Sequence, residues 1–301
     1  GKVVIMYNST RRIKFNLFDI INYMFMFIFA FSIIYPFWDM LMKSFSTPAE
    51  ATKVGFNLFP KELTFAAYKA VFLGSDIAIG YFNTIFRTFF GTLLFLLVTV
   101  SAAFALSKKD LPCRNTITFF FLFTMFFSGG LIPSYILMKW LHLIDSRWAL
   151  IIPGMFNVFN MVIIRNYMQS IDKSLEESAS MDGANHIYIL FKIIVPVCKP
   201  ILATVALWTI VGHWNAWFDA MIYINTNKKQ VLQIFLRKIL IQYDNLEVTK
   251  FLQASGQNIN DFTPDSLKAA FMYITITPIL FAYPLLQKYF VKGIMIGSLK
   301  G

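Results

Sequence analysis

Six apolar stretches, each long enough to cross a bilayer as a helix, dominate this chain. They cover roughly residues 16–42, 80–106, 116–138, 148–168, 197–224 and 268–290. A hydrocarbon core needs about 20 consecutive apolar residues in helical form. Backbone polar groups find no water there, so each crossing must bond internally, as a helix does within one segment. The expected fold class is all-α, a polytopic membrane protein with six transmembrane helices. Composition agrees. Of 301 residues 57% are hydrophobic and only 14% charged, where soluble domains carry about 25% charged residues. With a mean hydropathy of +0.60, this much apolar surface cannot be hidden in one soluble core.

The formal charge is +11. In a soluble protein that would suggest nucleic acid. Here the basic residues flank apolar runs, so orientation and lipid headgroups account for them, and no nucleic-acid partner is expected. Six crossings put both termini on one side. Lys2, Arg11, Arg12 and Lys14 precede the first run, Lys108, Lys109 and Arg114 follow the second, and Lys288, Lys292 and Lys300 close the chain. All sit near helix ends, which places them in the cytoplasm. The first run is too long for a signal-peptide core and lacks a small-x-small exit, so it reads as a retained helix. Two sizeable external loops are expected, 43–79 with Pro48, Gly55, Pro60 and Gly74, and 225–267, which is polar. Lys228, Lys229, Arg237 and Lys238 in the second loop read first as a solvated basic surface. A second reading matches them to an acidic saccharide such as a uronate oligomer. The chain divides into 1–79, with the first helix and its external loop, and 80–301, a five-helix core.

Several chemistries lack their residues. Cys113 and Cys198 are too few for a disulfide framework. His142, His186 and His213 fall in separate segments without ligand spacing, so no metal site is expected. There is no G-x-x-x-x-G-K-[ST], hence no phosphate loop. No cluster of His, Asp and Glu on facing helices suggests a membrane-embedded enzyme. Pro36, Pro133, Pro153, Pro278 and Pro284 interrupt apolar runs, as does Gly129–Gly130. They predict kinks, which serve packing or, alternatively, a gate hinge. Arg87 and Asp219 are charges inside apolar runs, candidates for function or for pairing near the outer surface.

Residues 170–200 form the one ordered polar segment between apolar runs. Ser174-x-x-Glu177 predicts a capping box that starts a helix. Gly183 supplies the permissive backbone for a sharp stop. A second helix follows, with Ile187, Leu190, Phe191 and Ile194 spaced as an amphipathic stripe. Pro196 and Pro200 close it. The expectation is two short helices in an L, with the small Ala179 presented for close approach by another protein. The plainer alternative is an amphipathic helix resting on the membrane.

The order of Glu177, Ser178, Ala179, Asp182, Gly183 and Pro196 resembles the EAA loop of permease subunits from binding-protein-dependent ABC importers, with Ser178 in place of the central alanine. Trp214-Asn215-x-Trp217 resembles the WN element of carbohydrate permeases. Tyr289-Phe-x-x-Gly293-x-x-x-Gly297-Ser298-Leu-Lys300-Gly301 looks like their C-terminal tail. The resemblance covers residue 80 to the end and is to the second permease subunit of maltose-type and lipoprotein-dependent oligosaccharide importers. It implies an ABC type I importer permease in a bacterial cytoplasmic membrane, both termini cytoplasmic. It implies a second homologous permease, two ATP-binding subunits, an extracellular solute-binding protein and a saccharide substrate. ATP and Mg would sit on the ATPase, with no cofactor on this chain. The EAA residues would couple to the ATPase, and Gly297, Ser298 and Lys300 would touch it. Trp214, Asn215, Trp217 and Asp219 would line the translocation path, the tryptophans stacking on sugar rings unless they serve packing. The alternatives are a self-contained secondary transporter, which should carry mid-membrane carboxylates, or a permease for a non-sugar solute.

Overall fold

A computed structural model describes residues 16–53, 58–73, 75–242 and 261–298, with backbone alone for 73, 75–76, 242 and 283–298. Lys2, Arg11, Arg12, Lys14, Gly55, Gly74 and Lys300 lie outside the described residues, as do the side chains of Lys288 and Lys292. Among the described residues the only strand-like pairing is one antiparallel bridge, Ser46 to Leu63. The rest of the ordered backbone is helical.

Helix α1 (Leu17–Ser44) starts where the Asn16 N–H donates to the Asp19 carboxylate at 3.1 Å. Its outer turns are exposed on every side, from Leu17 to Phe37. Its end is anchored: the Phe37 carbonyl accepts from the Tyr273 hydroxyl, and Ser44 shares a 2.8 Å hydrogen bond with Tyr68. A short helix α2 (Ala66–Leu73) leads into α3 (Ser75–Ser107), the longest central element. Helices α1 and α3 are each long and apolar enough to cross a membrane in one piece.

The next three expected spans are broken. Residues 116–138 form α4 (Arg114–Phe126) and α5 (Leu131–Trp140), bent by 115°. The break falls on Gly129–Gly130, and Gly130 sits at φ +86°, ψ −179°, a region essentially reserved for glycine. Residues 148–168 split into 3-10 turns between Arg147 and Gly154 and helix α6 (Val158–Gln169), bent by 48°. The segment 197–224 stops as a helix at Asn215. With each bent pair counted as one span, up to five candidate crossings are present among the described residues. The prolines break less than their number suggests: Pro36 lies inside α1, and Pro278 and Pro284 inside the final helix α12 (Pro264–Ser298). Helix α11 (Leu232–Arg237) precedes α12 in the chain.

Two large clusters and two small ones form the core among the described residues. Around one end of α3, Phe95, Ala103, Met161, Ile164, Ile194 and Val205 pack together from α3, α6 and the segments after residue 186. Around the other end, Ala67, Ile77, Leu232, Phe235, Leu267 and Phe271 join α2, α3, α12 and a segment from the expected polar loop. That segment corrects the reading of 225–267. Residues 232–237 form a helix, Lys238–Gln242 continue it as a π turn, and Val231, Leu232, Ile234, Phe235 and Ile239 are buried. Their apolar face is too short to register as a span, so the basic residues between them dominate the sequence signal.

Gly130→Ala should strain the α4–α5 break by about 1–3 kcal/mol. A thermal melt of the purified protein in detergent should show a drop of several degrees, whereas Gly129→Ala, which meets only the Pro133 ring at 3.6 Å, should change little.

Candidate functional site

The polar segment folds as an elbow of two short helices. Helix α7 (Ser174–Met181) begins after Asp172, whose carboxylate accepts from the Ser174 N–H at 2.9 Å. The Ser174 amide and hydroxyl hold the Asp172 carboxyl below its usual range. The cap is therefore Asp172, two residues before the helix, and Ser174 is already helical. Glu176 and Glu177 lie in the first turn, where the helix dipole favours negative charge.

The helix stops as the glycine predicts. Gly183 adopts φ +80°. Its N–H donates to Ser180 O at 3.0 Å, and the Ala184 N–H reaches back to Ala179 O at 3.0 Å. This is the left-handed cap that closes a helix end by satisfying its free carbonyls. Asn185 then caps helix α8 (His186–Val197), accepting from the Tyr188 N–H at 2.8 Å. Helix α9 (Lys199–Asn215) leaves α8 at 85°.

The amphipathic stripe is not the expected one. Residues Ile189–Ile194 form a π turn, whose i→i+5 bonding widens the helix. The buried face becomes Ile189, Leu190, Ile194 and Cys198, while Ile187 is 71% exposed and Phe191 45%. Glu177, Ser178, Asp182, Gly183 and Pro196 are exposed as an interaction surface requires. Ala179 instead turns inward against the core. It lines a cavity of about 520 Å³ inside the elbow, with Asp182, Asn185, Tyr188 and Lys192. The elbow is tied to the bundle by an ion pair between Lys108, just past α3, and Glu176. A cleft of about 1020 Å³ lies beside that pair, bordered by Arg114, Gln169, Glu177 and His186.

The expected translocation residues gather at a second break. Helix α9 ends at Asn215, and a short helix α10 (Phe218–Tyr223) follows. Arg87 of α3 spans the break. It donates to Asp219 through both terminal nitrogens, one at 3.1 Å, to Ala216 O at 3.1 Å, and through Nε to His213 Nδ1 at 3.4 Å. Its side chain is 5% exposed, that of Asp219 31%. Asp219 thus neutralises a buried cation. Trp214 is buried, with its indole N–H donating to Thr275 O of α12 at 3.1 Å. Trp217 is half-buried under the Arg237 guanidinium, 4.0 Å from its centroid. Asn215 is exposed. Trp214 is engaged in packing rather than presented as a platform. Gly297 and Ser298 are the last described helical residues of α12.

Sequence reasoning missed the network at the far end of α3. Asp145, at φ +58°, accepts from the N–H groups of Asn225 and Thr226 at 3.0 and 2.9 Å, from the Thr226 hydroxyl at 2.6 Å and from Lys229 Nζ at 2.9 Å. The Thr226 hydroxyl, aided by Lys229, holds its carboxyl far below the usual range. A depressed carboxyl stabilises above its unfolded pKa, and the contribution is lost only as pH falls through the folded value. This clamp therefore persists well into acid. Asn83 donates to Lys228 O and Gln230 O at 3.1 and 2.8 Å.

Residues 70–296 match the family described as binding-protein-dependent transport system inner membrane component. This chain belongs to that family. Its relatives include the Polygalacturonan/rhamnogalacturonan transport system permease protein YtcP of Bacillus subtilis (strain 168), 37% identical over 96% of this chain and 100% of the relative. Protein LplC of the same organism is 39% identical over 94% and 95%. A chain from the crystal structure of a bacterial ABC transporter involved in the import of the acidic polysaccharide alginate superposes with a TM-score of 0.84. It is 36% identical over 91% of this chain and 96% of that one. The chain is thus an inner-membrane permease component with the ABC type I permease fold.

Arg87 and Asp219 should behave as one unit. Arg87→Met should destabilise by about 3–5 kcal/mol, because it strands a partly buried carboxylate. The double variant Arg87→Met with Asp219→Asn should lose less than the sum of the two single variants. Chemical denaturation in a double-mutant cycle reads that coupling.

Proposed function

We propose that this chain is the permease subunit of an ATP-driven importer, translocating an oligo- or polysaccharide delivered by an extracellular binding protein. The observation that carries the reading is the exposed elbow, closed at Gly183 and tied to α3 through Lys108 and Glu176. Its polar residues face outward while its apolar face is built into the core, so a push on Glu177, Ser178 or Asp182 reaches the bundle as rigid-body motion. Saccharide is supported by the names of the relatives, one of which is named as a permease protein of a polygalacturonan/rhamnogalacturonan transport system. The similar structure belongs to an importer of an acidic polysaccharide.

In this reading α12 supplies the sixth crossing and both termini lie in the cytoplasm of a bacterium. The elbow docks on one of two ATP-binding subunits, which hold ATP and Mg; this chain hydrolyses nothing and needs no cofactor. Gly297, Ser298 and Lys300 add a tail contact to the ATPase. A second homologous permease completes the path, with Trp214, Asn215, Trp217 and Asp219 at this chain's share of it. The four differ in part: Asp219 and Trp214 hold the broken span in shape, leaving Asn215 and the free edge of Trp217 to meet solute.

Copurification from membranes should bring down an ATPase and a second permease in stoichiometric amounts; isolation as a transport-competent single chain would support a secondary transporter instead. Gly183→Val forces a β-branched residue into left-handed backbone, about 1–2 kcal/mol of strain. ATP hydrolysis should persist in the reconstituted complex while uptake falls about tenfold or more, the equivalent of 1.4 kcal/mol. Unchanged coupling would remove the elbow's assigned role.

A further inference from the structure

At the end of α3 away from the elbow, a cavity of about 440 Å³ opens between Phe82, Phe86, Asp145, Arg147, Trp148 and Lys229. Asn83 and Ser107 lie 24 positions apart on the same helix, so the cavity is roughly 36 Å from the elbow at 1.5 Å per residue. Its volume falls within the usual range for small-ligand sites.

The cavity has a fixed floor. The Asp145 carboxylate is filled by four donors, and its charge is answered by Lys229, so neither group is left over for a ligand. Arg147 is different. Its Nε donates to Asn83 Oδ1 at 2.7 Å, and Asn83, 2% exposed, is itself held by two backbone carbonyls. The guanidinium lies 5.6 Å from the centroid of Phe82. Nothing among the described residues receives its two terminal nitrogens. A guanidinium fixed at Nε with a free two-nitrogen fork matches the geometry of a carboxylate. Trp148, 42% exposed, lines the same cavity and stands edge-on to Phe86 at 6.0 Å and Phe90 at 6.3 Å, which hold the ring in place. An aromatic wall next to a carboxylate fork suits a ring that is apolar on one face and acidic at its rim.

We propose that this cavity is an outward-facing subsite for one uronate residue of the incoming chain, Arg147 gripping its carboxylate and Trp148 covering the sugar ring. The inference rests on the importer reading and deepens it: the permease would itself select for acidic saccharide. Asn83 acts through Arg147 as a positioning residue. The residues divide the work, since a neutral sugar would meet the same wall but leave the fork empty.

The test uses the full complex, with its ATPase, second permease and binding protein, reconstituted in vesicles and offered oligogalacturonate or a neutral oligosaccharide of equal length. Arg147→Gln should raise the half-saturating oligogalacturonate concentration about tenfold, the size of one lost charge-assisted hydrogen bond. Maximal uptake and the melting temperature should hold. Arg147→Lys should restore part of the loss, Trp148→Leu should reproduce it, and Lys69→Gln, exposed on α2 and outside the cavity, should leave uptake unchanged. If Arg147→Gln lowers the melting temperature, the Arg147→Lys and Trp148→Leu half-saturation values decide. Oligogalacturonate uptake insensitive to these substitutions would overturn the subsite and leave the importer reading standing, the cluster then being an interfacial anchor. Uptake of neutral saccharide alone would overturn the uronate assignment. Uptake of neither saccharide, by a complex that hydrolyses ATP, would overturn the saccharide reading together with the subsite.

Discussion

A break in an apolar span leaves backbone N–H and C=O groups with no water to bond them, and at the α9–α10 break and the loop beyond it α3 is where these groups are answered. Arg87 donates to the Ala216 carbonyl just past the end of α9. Asn83 donates to the carbonyls of Lys228 and Gln230, and the Thr84 hydroxyl accepts the Leu232 N–H at 2.9 Å. These side chains occupy the buried face of one unbroken helix. Irregular backbone at membrane depth is tolerated only where protein satisfies it. Without α3 the broken α9–α10 span and the segment around Leu232 would have no stable place.

The same helix connects the elbow and the far cavity, the two ends proposed to function. Its final turn is followed by Lys108, which holds the elbow through Glu176, and its other end carries Asn83, which aims Arg147. Between them the core cluster from Phe95 to Val205 is filled by close-packed side chains, including Ala103 and Ile194 without exposed surface. Such packing transmits displacement rather than absorbing it. A force applied at the elbow is therefore delivered to a rod that also holds the far cavity and the Arg87–Asp219 break.

Much of this was legible in the sequence. The apolar runs located the helices, and Gly183 marked the elbow's turn because a left-handed cap needs glycine. Arg87 and Asp219 stood out singly, as charges in apolar runs. Their pairing did not, because 132 positions separate them and only the fold brings them together. The expected breakers held in part: Gly129–Gly130 carries the α4–α5 bend and Pro153 lies in the 3-10 turns before α6, whereas Pro36, Pro278 and Pro284 are tolerated inside long helices and the break at Ala216–Trp217 had no glycine or proline to mark it. The stripe 187-190-191-194 assumed ordinary helical pitch, and the π turn invalidated it. The Asp145 clamp had no signal, since half of its donors are backbone N–H groups and all of them lie on a distant loop.

That π turn also sets the aim of the elbow. A helix advances about 100° with each residue, and the bulge between Ile189 and Ile194 inserts one residue's worth of rotation between the core-bound α9 and the exposed cap at Gly183. The compass heading of the docking surface is thus stored in a single surplus position. Chains that differ there by one residue could keep every buried contact of the bundle and still offer their elbow to a differently placed neighbour.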